Sequence, residues 1–119
     1  MAIWHAVTRH NGRVPMVRSG LVNQAQLADV VEKAIRKLGK KAVRVNYNIG
    51  EDWDGEPSIF FRIVLPDAAS AEDTLAEVTG RIARILNDQI RPREDWGLLP
   101  YFSFRSKSEQ AERHDPEWA

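Results

Sequence analysis

The sequence predicts an α+β domain with a helix–strand–strand–helix–strand core. Three patterns carry that expectation. Apolar residues recur at helical spacing along 23–38 and again along 75–90. Apolar and polar residues alternate along 43–49, the period of a half-buried strand. A nearly unbroken apolar run, "SIFFRIVL", follows after a short acidic stretch. A central sheet with both helices on one face is the economical packing for this order. At 119 residues the chain is expected to form one domain, with a polar tail over about 107–119.

Residues 1–22 give the least pattern. "AIWHAV" is compatible with an extra N-terminal strand, and "HNGRVP" has turn chemistry. The first helix is expected from Asn23, its capping residue, with Leu27, Val30, Val31, Ala34 and Leu38 as the buried stripe and Gly39 as its stop. In the first strand Val43, Val45, Tyr47 and Ile49 face one way and Arg44, Asn46 and Asn48 the other. "SIFFRIVL" is apolar on both faces except at Arg62, so it is expected in the middle of the sheet. Its closeness to the first strand predicts an antiparallel hairpin of 43–49 with 59–65. "SAED" offers a capping box from Ser70 to Asp73, ahead of a long helix buried through Leu75, Val78, Ile82, Ile85, Leu86 and Ile90. Pro92 ends that helix. "YFSFRS" is expected as the last strand, with Phe102 and Phe104 on one face and Tyr101, Ser103 and Arg105 on the other. The connection over the second helix is long enough for a parallel crossover.

Composition narrows the functional classes. No apolar run is long enough to span a bilayer, and "MAIWHAVTRHNGR" has no signal-peptide pattern. With no cysteine there is neither a disulfide framework nor a thiolate metal site, and a cytoplasmic protein is expected. The formal net charge is zero, yet residues 1–45 hold nine Lys/Arg against two Asp/Glu, and the remainder eight against fifteen. Either the halves interleave on folding, or the asymmetry persists and steers a charged partner.

The densest chemistry lies in "GEDWDGEP", Gly50–Pro57. Glu51, Asp52, Asp54 and Glu56 crowd around Trp53. Asp52 and Asp54 are the residues to hold Mg²⁺ if any do, since hard cations take clustered oxygen ligands. The competing reading is a hairpin connection, in which Asp54-Gly55 suits a type I′ turn and Pro57 stands where no ladder donor is needed. On that reading the carboxylates are solvated or paired with arginine, and an exposed Trp53 anchors a partner. Arg62 and Arg105 each interrupt an apolar strand. Each is expected either to form an internal salt bridge, for instance with a turn carboxylate, or to contact an anion or a partner. His5, His10 and His114 lie in the flanks with no metal-ligand spacing, and no nucleophile–base set or Gly-rich phosphate loop is readable. The basic side of the first helix, Lys33, Arg36, Lys37, Lys40 and Lys41 with Arg44, reads as a solvated face or as a contact for phosphates.

The helix–strand–strand–helix–strand order, with Gly50 closing the first strand, resembles the core of the minimal nucleotidyltransferases over roughly residues 24–105. In bacteria these small proteins often pair with a helical HEPN-type toxin as its antitoxin. Their fingerprint is Gly-Ser after the first strand, Asp-x-Asp on the second and a further carboxylate on the third. Here Gly50 is followed by Glu51, the second strand carries Ile59, Phe61 and Arg62, and "YFSFR" has no carboxylate. Asp52-Trp53-Asp54 lies ahead of the second strand. The resemblance therefore implies a degenerate member that has lost catalysis and kept binding. A ferredoxin-like βαββαβ domain, with "AIWHAV" as its first strand, fits the same layout and implies no function by itself.

Together these readings lead to the expectation of a non-catalytic protein-binding domain with no cofactor. It would be an antitoxin, immunity or accessory protein with a protein partner, for instance a toxin encoded nearby, and a homo-oligomer is left open. Trp53, Asp52, Asp54, Glu56, Arg62, Arg105 and Trp118 are the candidate binding residues. The alternatives are a Mg²⁺-dependent nucleotidyl- or phosphoryl-transfer enzyme using Asp52 and Asp54, and nucleic-acid binding through the lysine-rich helix.

Overall fold

The computed structural model describes residues 24–118. The extra strand in "AIWHAV" and the cap at Asn23 lie outside the described residues. Within them the order is α1 (Gln24–Leu38), β1 (Arg44–Glu51), β2 (Pro57–Leu65), α2 (Glu72–Ile90), α3 (Pro92–Trp96), β3 (Leu99–Ser106) and α4 (Lys107–Arg113). The αββαβ core is as the sequence predicts. α1 ends at Leu38, and Gly39 takes φ +55°, the left-handed conformation that glycine adopts without cost.

The strands form one mixed sheet in the order β1-β2-β3. β1 and β2 pair antiparallel, Arg44 opposite Val64 and Glu51 opposite Pro57. β2 and β3 pair parallel, Ser58 opposite Leu99 and Leu65 opposite Ser106. β2 is thus the central strand. Because side chains alternate, the register sorts the sheet into two faces. Tyr47 and Ile49, then Ile59, Phe61, Ile63 and Leu65, then Phe102 and Phe104 share the inner face. Leu27, Val31, Ala34 and Leu38 of α1 and Ile82, Leu86 and Ile90 of α2 close the core over that face. Both helices therefore cover one side. Phe61 sits at its centre, its ring 5.3 Å from Phe102 and 6.2 Å from Tyr47. Burying a side chain of this size is worth roughly 1.5–3 kcal/mol.

Four sequence expectations are corrected in detail. Val43 precedes β1 and is exposed, although its N–H still donates to the Val64 carbonyl at 2.7 Å. Ser70 does not cap α2. That helix starts one residue later, after Ala71, and Ser70 Oγ donates back to the Pro66 carbonyl. The capping box lies instead at α4, where Ser106 Oγ accepts from Glu109 N–H and Glu109 Oε1 accepts from Ser106 N–H. Both boxes read alike in sequence, but at the first a short 3₁₀ turn over Asp67–Ser70 uses the serine before α2 begins. Finally, Leu75, placed in the buried stripe of α2, is exposed at the first turns of that helix.

The polar tail is folded. After β3, α4 and a 3₁₀ turn (Pro116–Trp118) run back over the sheet's second face. There Trp118 is 8% exposed and Val64 1%. Asp67 accepts from both the N–H and the hydroxyl of Ser108, tying α4 to the loop before α2. Those hydrogen bonds hold the Asp67 carboxyl below the usual carboxylate range, with a smaller contribution from Lys107.

Candidate functional site

The tip between β1 and β2 is built by Asp52. Its N–H donates to the Glu56 carbonyl at 3.0 Å, and its own carbonyl accepts from Gly55 N–H at 2.9 Å. Its carboxylate takes over the turn's remaining donors: Oδ1 accepts from the N–H of Asp54 and of Glu56, both at 2.9 Å. Short acidic side chains favour such positions because they replace backbone acceptors locally. Gly55 has φ +83° while Asp54 stays at negative φ, so the expected type I′ turn at Asp54-Gly55 is not what forms. A type I′ turn needs positive φ at both residues. Here a turn over Asp52–Gly55 is followed by glycine alone in the left-handed region, the usual three-residue solution. Gly50 is an ordinary strand residue opposite Ser58.

The other carboxylate oxygen, Asp52 Oδ2, reaches across the sheet and accepts from the Tyr101 hydroxyl at 2.7 Å. This contact joins the tip to β3, forty-nine residues along the chain. The phenol's hydrogen bond, followed by the turn's backbone donors, holds the Asp52 carboxyl below its ordinary range. The same bond raises Tyr101, and the negative charges of Asp52, Asp54 and Glu56 raise it further. Asp52 thus meets three donors with its two carboxylate oxygens. With a donor aimed at each oxygen, Asp52 fixes the turn and links it to β3. Asp54 and Glu56 are exposed. Among the described residues no group of three or more His, Asp or Glu is placed to hold a metal ion.

Tyr101 anchors a row of rings. Trp53 is 81% exposed, and its ring centre lies 5.8 Å from that of Tyr101, inclined by 54°. Tyr101 in turn stacks on Phe60 at 5.4 Å and 14°. Register puts Asn48, Phe60 and Tyr101 in one row across the three strands, and Asn46, Arg62 and Ser103 in the next. This is the half of the second face that α4 and Trp118 leave uncovered. Tyr101 and Phe60 were not singled out from sequence as site residues. The alternation in "YFSFRS" already set Tyr101 apart from Phe102 and Phe104, but only the β2–β3 register brings it to Phe60.

The two strand arginines part company. Arg62 is half-buried and donates to Asn48 Oδ1, an amide and not a turn carboxylate. Arg105 lies one row farther from the tip than Arg62. It bonds to Asp115 at 2.8 Å and Gln110 at 2.9 Å, and its guanidinium carbon sits 4.2 Å above the centre of the Trp118 ring. Its side chain is 11% exposed. An internal salt bridge was expected for both arginines, and Arg105 has one, but with the C-terminal segment. Of the candidate residues, then, Trp53, Asp52, Asp54 and Glu56 come together at the tip with Arg62 nearby. Arg105 and Trp118 form a separate, mostly buried pair that fastens the C-terminal segment.

Among the described residues the charges stay segregated along β1. Lys33, Arg36, Lys37, Lys40, Lys41 and Arg44 are all exposed, and they gather where α1 ends and β1 begins. Glu51, Asp54 and Glu56 sit at the opposite end of β1, about 24 Å away at some 3.4 Å per strand residue. No protein-family profile matches the chain, and neither a curated protein nor a solved structure matches it. Among the described residues no helix is long and apolar enough to cross a membrane.

Proposed function

We propose that this domain is a non-catalytic protein-binding module, an accessory, immunity or antitoxin-type protein that holds its partner through the β1–β2 tip. The observation that carries the reading is Trp53. It is the most exposed large hydrophobic side chain described, yet it stands on a turn fixed by Asp52 and leans on Tyr101. An exposed tryptophan on a rigid support loses little entropy on binding and is the residue type most enriched among interface hot spots. The tip carboxylates supply charge around it, which speeds and orients encounter more than it adds affinity.

The test is affinity purification of the tagged chain from its native cells, wild type against Trp53→Ala. The expected result is a stoichiometric protein partner lost from the variant while its melting temperature stays within a few degrees. Retention of the partner by Trp53→Ala overturns the reading. So does Mg²⁺- or Mn²⁺-dependent binding of ATP, measured calorimetrically, that Asp52→Asn abolishes. A second reading draws on the six exposed cations at the far end of β1, which suit contact with phosphates. It predicts oligonucleotide affinity that falls steeply with salt.

A further inference from the structure

The sheet has two faces, and three different surfaces meet on the outer one. The end near Arg105 is closed by Trp118 and α4. The middle, with Asn46, Arg62 and Ser103, is polar. The end near the tip presents the rings of Phe60, Tyr101 and Trp53, with Asp54 and Glu56 of the turn beside them. Among the described residues neither of these two carboxylates takes part in an ion pair, whereas four other acidic residues do. The rings feel these charges: after the Asp52 hydrogen bond and burial, Asp54 and Glu56 add to the rise of the Tyr101 phenol. Rings with electron-rich faces and uncompensated carboxylates along one rim attract the same species, a cation with an apolar stem. They repel a phosphate backbone, which disfavours a single-stranded nucleic acid on this platform despite its stackable rings.

We infer that the part of the sheet's outer face that no described helix covers, from Phe60 and Tyr101 to Trp53, docks a basic segment of a partner protein, whose arginine or lysine stems lie along the rings with their charges beside Asp54 and Glu56. The inference rests on the tip being a protein-binding element and adds the chemistry of what it binds. Arginine fits best, because its flat guanidinium stacks on an aromatic face while its edge reaches carboxylates. The chain already contains this contact in miniature at the other end of the face, where the Arg105 guanidinium lies over Trp118 and bonds to Asp115.

The probe is a capped pentapeptide with two arginines, titrated into the full isotope-labelled chain and followed by NMR. A glutamate counterpart and an oligothymidine serve as comparisons. The expected result is saturable shifts at the Trp53 indole N–H and the Phe60 and Tyr101 rings, with the arginine peptide alone. Asp54→Gln with Glu56→Gln weakens that binding about tenfold, as does raised salt, the loss expected for two exposed charge contacts. Neither side chain makes a hydrogen bond in the described turn, so this variant keeps the fold. Absence of shifts, equal shifts with both peptides, shifts confined to the basic end of α1, or stronger perturbation by oligothymidine overturns the inference. If Trp53→Ala releases the native partner and the arginine peptide still leaves the rings unmoved, the protein-binding reading stands and the basic-segment inference falls. If the native partner survives Trp53→Ala, both fall.

Discussion

Truncating Trp118 to alanine asks whether the C-terminal segment belongs to the fold. The ring is 8% exposed, lies against the Arg105 guanidinium and helps cover Val64, itself 1% exposed. Removing a buried aromatic side chain costs about 3–5 kcal/mol in a closed core. The segment is terminal, so it has an escape: once the loss exceeds its docking energy, 107–118 detaches and the αββαβ core stays folded. Detachment also strips Arg105 of Asp115 and Gln110 and wets Val64. A loss of about 2–4 kcal/mol in urea denaturation is therefore expected, a large share of the 5–15 kcal/mol typical of a domain. Amide exchange in α4 should accelerate far more than in β2. A cycle with Arg105→Ala should return a coupling of about 1 kcal/mol for the guanidinium–indole contact. A Trp118→Ala variant within about 0.5 kcal/mol of wild type, with α4 exchange unchanged, would refute the packing described for this segment.

Other outcomes follow from particular residues. Gly55→Ala adds a Cβ to open space but at φ +83°, so only backbone strain opposes it, and a loss of about 1 kcal/mol in the same denaturation assay is expected. In a phenolate absorbance titration neither tyrosine should ionise at the ordinary value of 10.0. Tyr47 is pushed up to about 12 by burial and then by Glu32, and Tyr101 is raised by Asp52. The sign for Tyr47 is that its neutral form is favoured in the fold. Its contribution is complete below pH 10 and is lost as pH climbs from there toward 12, seen as a falling melting temperature. Asp52 and Asp67 run the other way. Their folded values lie below the unfolded 3.8, so their contributions are intact above about pH 4 and disappear as pH falls through the folded values. Asp67→Asn should flatten that acid limb.

The core was legible because its signals are periodic. Leu27, Val31, Ala34 and Leu38 repeat at helical spacing, and "SIFFRIVL" is apolar on both sides because its strand is central, with only Phe60 and Arg62 short of full burial. What escaped depended on register and on distant partners. Tyr101 reads as one outward residue of a strand; only pairing with β2 sets it on Phe60 and beneath Trp53. Asp52 reads as one of four carboxylates, and its separate role is visible only once two backbone donors and a phenol converge on it. The 107–118 stretch is polar because its helix is short and mostly solvated. A single Trp118, stacked on Arg105, ties it down, and one residue makes no period. Arg62 was open to several partners in the sequence, and the amide it meets, that of Asn48, comes from the neighbouring row.

The central claim is that the tip contacts another protein through Trp53, and proximity crosslinking at that position tests it most directly. With Trp53 replaced by a photoreactive phenylalanine analogue in the native cells, irradiation should yield a discrete covalent adduct with one protein. The same replacement at exposed Arg84 on α2 should yield none. An adduct with nucleic acid, or no adduct at the tip above that at Arg84, would contradict the account.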